Sequence, residues 1–157
     1  MRFLMIDRIC EMIAGKSIRC EKTLLASEEL FADHFPGFAV VPGVLLTEMM
    51  AQAMGKCLDA ENLPRGKAML LEIRNARFRD WVRPDETVTI FAKITSSLAQ
   101  IATAQCHVEV HGVRKCEAEI RAGFVPREQL GANYRDAVLD EFWARESGVE
   151  NKDPSHE

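Results

Sequence analysis

Residues 33–52 read DHFPGFAVVPGVLLTEMMAQ and hold the three side chains best able to act together: His34, Glu48 and Gln52. Two turn signals, Pro36-Gly37 and Pro42-Gly43, flank a short apolar link. The second opens directly into an apolar run, Gly43 to Leu58. A helix starting there leaves its first amides, near Gly43 and Val44, as free donors at the positive end of a helix dipole. Glycine lets a ligand approach the backbone closely. The expected guest is an anion or a polarised carbonyl oxygen. Glu48 stands one and a half turns into this helix among apolar neighbours. Burying an unpaired carboxylate is costly, so Glu48 should be paired or stay protonated. A protonated carboxyl near neutral pH serves as a general acid. Gln52, one turn on, shares its face and is placed to orient it. The competing reading lets Glu48 reach solvent or a subunit contact through a gap in the sheet. His34, alone, reads as an ordinary loop residue. Beside the same donor amides as an acid, it reads as the matching base.

Other residues compete for attention. His107, Glu109 and His111 share one face of a strand, a spacing that can ligate a metal, but the alternation puts them on the polar, solvated face. No HExxH, P-loop, GxGxxG or GxSxG occurs. Arg74, Arg77, Arg79 and Arg83 cluster with only Asp80 among them after Ala76. A basic rim beside an apolar interior suits an acidic partner carrying an apolar cargo. A charged strand edge explains the same cluster equally well.

The elements that must position these groups are legible from period and composition. Period-two alternation runs through 86–95, 101–110 and 115–124, the mark of half-buried antiparallel strands. His111-Gly112 fits the turn between the last two. Arg83-Pro84-Asp85-Glu86 fits a turn before the first. Residues 68–79 read as another strand, and 9–14 with 16–25 as a hairpin around Gly15. The run Gly43–Leu58 carries only Glu48 and Lys56 as charges, so it reads as a helix wrapped by the sheet. Its methionines, Met49, Met50 and Met54, suit an irregular cavity wall. The result is an α+β domain: one long central helix against a curved antiparallel sheet of five to six strands. A further helix is expected over 128–146, where Leu130, Tyr134, Val138 and Phe142 recur at four-residue spacing.

Composition bounds the remainder. The chain has 157 residues, 47% hydrophobic and 28% charged, an ordinary globular balance with room for one core. No 18-residue apolar run offers a membrane span, and charges interrupt residues 1–14 as they would not in a signal peptide. Five cysteines, none in a CxxC, read as reduced thiols of a cytoplasmic protein. A net charge of −4 argues against nucleic acid. The acidity belongs to the end of the chain: residues 128–157 hold eight acids against three bases.

The pattern His34-Phe-Pro-Gly, then Pro42-Gly43-Val44-Leu45, then Glu48, then Ala51-Gln52 resembles the FabZ-type 3-hydroxyacyl-[acyl-carrier-protein] dehydratases, with the spacing from His34 to Glu48 intact. Met5-Ile6-Asp7-Arg8-Ile9, Gly15-Lys16-Ser17-Ile18 and Ala76-Arg77-Phe78-Arg79 extend the likeness over roughly residues 3–125. The resemblance implies a hotdog fold and a homodimer, often a trimer of dimers, with the site at the dimer interface. It implies His34 as the base for the alpha proton and Glu48 as the acid for the 3-hydroxyl. Gly43 and Val44 would hold the thioester oxygen and Gln52 would position Glu48. Phe35, Met49 and Phe78 would line the acyl tunnel. Arg74, Arg77, Arg79 and Arg83 would receive an acyl carrier protein and its phosphopantetheine arm. No metal and no cofactor is implied. The related FabA-type enzymes, which also isomerise, carry Asp at the position of Glu48. The pattern is broken after Arg79, where Asp80-Trp81-Val82 replaces the usual Pro-Val. Residues 1–126 are expected to form the catalytic domain, 127–147 a helical extension and 148–157 a disordered acidic tail. A hotdog acyl thioesterase and a non-catalytic acyl-binding subunit are the rival readings.

Overall fold

A computed structural model describes residues 2–148. Six strands form one antiparallel sheet: β1 (Arg8–Ile13), β2 (Ser17–Thr23), β3 (Lys67–Phe78), β4 (Thr87–Leu98), β5 (Ile101–Val110) and β6 (Val113–Val125). Their order across the sheet is β1-β2-β4-β5-β6-β3. A short helix α1 (Leu30–Asp33) precedes the long helix α2 (Gly43–Asp59), and α3 (Ala137–Glu146) follows the sheet.

The alternation in β4, β5 and β6 sorts each strand into a core face and a wet face. In register, Ile90, Val108 and Cys116 form one buried row, and Ala92, Cys106 and Ala118 the next. The small side chains of that second row leave room for a helix, and α2 packs against β2 to β6. Met49, Met50, Met54 and Leu58 of α2 are 3% exposed or less. Burying each contributes about 1.5–3 kcal/mol. All six expected strands are present, and the fold is a hotdog: one helix inside a curved sheet.

The two edges of the sheet differ. At β1 the helix α3 covers the edge and the Arg145 guanidinium donates to the Ile9 carbonyl. At β3 the far side is open among the described residues. This strand pairs only with β6, through register shifts at Leu70/Glu72 and Arg74/Arg77, and Asn75 takes a φ of 52°. Met69, Leu70, Leu71, Ile73 and Phe78 are all exposed.

The expected helix over 128–146 is corrected. A 3-10 turn at Arg127–Gln129 and a loop precede a helix that begins only at Ala137. Asp136 ends the loop by accepting from the Leu139 amide at 3.1 Å, a side-chain N-cap. Val138, Leu139 and Phe142 are buried, whereas Tyr134 and Trp143 are exposed. The expected tail, apart from Gly148, lies outside the described residues.

Candidate active site

The start of α2 is built from proline and glycine. Pro42 caps the helix with extended backbone (φ −56°, ψ 134°). The Leu45 and Leu46 amides both return to the Pro42 carbonyl, at 2.9 and 3.4 Å. The Gly43 and Val44 amides have no backbone acceptor among the described residues. They are two free donors at the positive end of a 17-residue helix. A Cβ on Gly43 would lie 2.8 Å from the Phe78 ring, so the exposed aromatic of β3 sits directly against these donors. Glycine here is a matter of contact with Phe78.

Glu48 is half-buried and paired. Gln52 Nε2 donates to its Oε1 at 2.9 Å, so the two side chains meet across one turn of α2. Gln52 is itself fixed from outside the helix. Its Oε1 accepts from the Met5 amide at 2.9 Å, and its Nε2 also donates to the Phe3 carbonyl at 3.1 Å. These bonds set which end of the Gln52 amide faces Glu48. Oε2 of Glu48 is left for another partner. Glu48 also lines a cavity of about 350 Å³ with Gln52, Gly55, Met69, Leu70 and Tyr134.

His34 ends α1 and opens the loop to α2. Its Nδ1 lies 2.9 Å from the Val40 carbonyl oxygen, while its own carbonyl accepts from the Val40 amide at 3.1 Å. A carbonyl only accepts, so Nδ1 is the donor, and it is Nε2 that presents a lone pair in the neutral ring. Inside this closed loop Phe35 and Phe38 exchange backbone bonds around Gly37, whose φ is 75°. The His34–Phe35 peptide is cis and the two rings stack at 4.1 Å. Val41 donates to the Val82 carbonyl at 2.8 Å, which ties the loop to the segment after β3. His34 is not among the residues lining the Glu48 cavity.

The other expected positions divide. Phe35 and Phe78 are about half exposed beside the loop and the helix start, but Met49 is 1% exposed and belongs to the core. Met69 and Leu70 line the Glu48 cavity where Met49 does not. Arg74 pairs with Glu72 and Glu119, and Arg79 with Glu117. Arg83 stacks on Phe38 at 4.2 Å, with Trp81 edge-on to the same ring. Arg77 is exposed and makes no ion pair among the described residues. His107 is held by Glu109 at 3.0 Å and stacks on Phe91, with burial first and Arg114 second holding its imidazole below the ordinary value. Burial pushes the thiols of Cys20, Cys106 and Cys116 up to about 12, and Cys57 to about 11. None of these four is an activated nucleophile.

Sequence reasoning missed three partners of the site. Lys56, one turn past Gln52, is 7% exposed and donates two bonds to Asp136 at 2.9 and 2.8 Å. Its position eight residues after Glu48 was the signal, since it extends one helix stripe. Tyr134 and the Phe3–Met5 backbone carried no local signal.

A helix with free N-terminal amides, a Gln-held carboxyl on its inner face and a curved antiparallel sheet around it define a hotdog domain with an enzyme-like site. The FabA-like domain model matches residues 1–119, and the chain belongs to that family, in its FabZ-type dehydratase branch. A "3-hydroxyacyl-[acyl-carrier-protein] dehydratase FabZ" of Wolbachia pipientis wMel is 37% identical over 121 residues, covering 76% of this chain and 85% of the relative. Its counterpart in Listeria monocytogenes serovar 1/2a is 37% identical over 75% of this chain and 83% of the relative. Among solved structures, the dehydratase heterocomplex ApeI:P of Xenorhabdus doucetiae matches with a TM-score of 0.64 at 15% identity, over 82% of this chain and 87% of that one. The PaaI protein of E. coli matches with 0.60 at 12% identity, over 74% and 81%. At such identities these two speak for the fold alone. Among the described residues, no helix is long and apolar enough to cross a membrane.

Proposed function

We propose that this chain removes water from a 3-hydroxyacyl thioester on acyl carrier protein and leaves the trans-2-enoyl thioester, in fatty-acid biosynthesis or a related carrier-bound pathway. One observation carries the reading: free Gly43 and Val44 amides and the Gln52-held Glu48 carboxyl lie on one helix, in a chain 37% identical to a FabZ dehydratase.

The thioester oxygen accepts from the Gly43 amide, with Val44 beside it. Charge that develops there as the alpha proton leaves meets donors already in position. His34 Nε2, with Nδ1 committed to Val40, takes the alpha proton. Protonated Glu48 gives its proton to the 3-hydroxyl, which departs as water. The enzyme is left with a protonated His34 and an ionised Glu48, and proton exchange with solvent resets both. Phe35 and Phe78 flank the acyl chain.

The site is shared between two subunits in this reading. The open edge and exposed apolar residues of β3 support a homodimer in which a second copy adds its own β3. His34 of the second subunit then meets Glu48 of the first. A trimer of such dimers is the larger assembly. Arg77 and Arg83 are the arginines we assign to carrier docking, since glutamates already hold Arg74 and Arg79. Free cysteines fit a cytoplasmic location.

The test is mass spectrometry of a 3-hydroxyacyl carrier protein incubated with the parent chain, His34→Ala and Glu48→Gln. Loss of one water with the parent alone supports the reading. Release of the acyl group overturns it in favour of a thioesterase, and an unchanged substrate with every acyl length overturns it in favour of a binding subunit.

A further inference from the structure

We infer that Tyr134, in the segment after the sheet, is a wall of the Glu48 cavity and limits the length of acyl chain that Glu48 can serve. The inference rests on the dehydratase reading and adds a specificity residue to it.

The segment lies beyond the family match, which ends at residue 119. It is docked firmly. Asp136 caps α3 through the Leu139 amide and accepts both bonds of the buried Lys56. Lys56 stands on the same stripe of α2 as Glu48 and Gln52. Asp136 therefore fixes Tyr134, two residues earlier, over that stripe, and the Tyr134 amide closes a turn onto the Gly131 carbonyl at 2.9 Å.

Tyr134 borders two spaces. On one side is the cavity of about 350 Å³ that holds Glu48 and Gln52. On the other is a cavity of about 700 Å³ lined by Asn62, Arg127, Arg135 and Trp143. Tyr134, with Lys67 and Asp136, lines both. The smaller space is walled by Ala51, Gly55, Ala68, Met69 and Leu70, which suits an alkyl chain. Its two lysines are already matched, Lys56 by Asp136 and Lys67 by Asp59, so no cation is spare for an anionic end group. An alkyl chain growing past Glu48 meets the Tyr134 ring. Beyond the ring it would enter the larger, polar space. Removing the ring joins the two.

The test compares the parent, Tyr134→Ala and Trp143→Ala as full chains on 3-hydroxybutyryl and 3-hydroxypalmitoyl carrier protein. Tyr134 is 46% exposed, so its truncation leaves the core intact, and thermal melts check this. The expected result for Tyr134→Ala is a rise of at least about threefold in the long-over-short ratio of kcat/KM. Trp143→Ala touches only the larger cavity and keeps the ratio within roughly twofold. An unchanged ratio in Tyr134→Ala overturns the assignment, as does an equal rise in Trp143→Ala. Calorimetry with saturated acyl-pantetheine analogues of both lengths is the second arm. A shifted affinity ratio without turnover upholds the wall while the dehydratase reading fails. Turnover with neither ratio shifted does the reverse.

Discussion

The two ends of helix α2 handle polar groups in opposite ways. At the N-terminal end, the Gly43 and Val44 amides have no backbone acceptor among the described residues, and Glu48 keeps one oxygen uncommitted among them. At the C-terminal end, Lys56 is bound twice by Asp136, and Lys67 by Asp59. One end is left incomplete and the other is sealed. Unsatisfied donors cost stability but are ready to bind developing charge. A paired, buried charge fixes geometry and offers nothing to a substrate. In the proposed reading, the difference separates the part of the helix that meets the reacting atoms from the part that holds the fold and walls the cavity.

The sharpest way to break this contrast is at Glu48. Glu48→Gln should lower kcat by about a thousandfold while the apparent Tm moves by no more than about 3 °C. A large fall in Tm would place Glu48 among the residues that hold the fold. Lys56→Met tests the sealed end. It leaves the half-buried Asp136 without its cation, and the apparent Tm should fall on the order of 10 °C. Adding Asp136→Asn, which removes the orphaned charge, should recover much of that loss in the same melting experiment.

A smaller effect is expected at Gly43→Ala. The added methyl meets the Phe78 ring at 2.8 Å, and Phe78 is half exposed and free to yield. Stability should therefore change by less than about 1 kcal/mol, while kcat/KM falls by roughly tenfold or more as the donors shift. Equal losses in both would erase the distinction at this end of α2.

The smallest effect comes from an ion pair belonging to neither end. Hydrogen bonding from Arg79, ahead of Arg114, holds Glu117 down to about 2. Its folded value lies below its unfolded one, so its contribution is present above about pH 4.5 and fades between there and about pH 2. The parent and Glu117→Gln should accordingly differ slightly in urea midpoint at pH 6 and converge as the pH falls through that window.

The sealed end was also the less legible one. The helix, its glycine start and the Glu48–Gln52 pair were readable because they are local: turn signals, an apolar run and two polar residues one turn apart. Strands β4, β5 and β6 were readable because each has one buried and one wet face. Strand β3 blurred because both its faces are exposed and two register shifts interrupt it. Lys56 was legible as one of two charges on a wrapped helix, but its partner was not, because Asp136 lies 80 residues away. The helix expected from residue 128 failed because the four-residue spacing of Leu130 and Tyr134 continues, by coincidence, that of α3. The better signal was Asp136, a capping residue placed directly before Ala137.

The open end of α2 is, in this account, half of an active site that a second subunit completes. The most direct measurement mixes His34→Ala and Glu48→Gln chains, each inactive alone, under conditions that let subunits exchange. Random pairing of a twofold dimer gives half heterodimers with one intact site each, so activity should recover to about a quarter of the parent's. A mixture as inactive as its components, despite verified exchange, would contradict the shared site and return His34 and Glu48 to the same subunit.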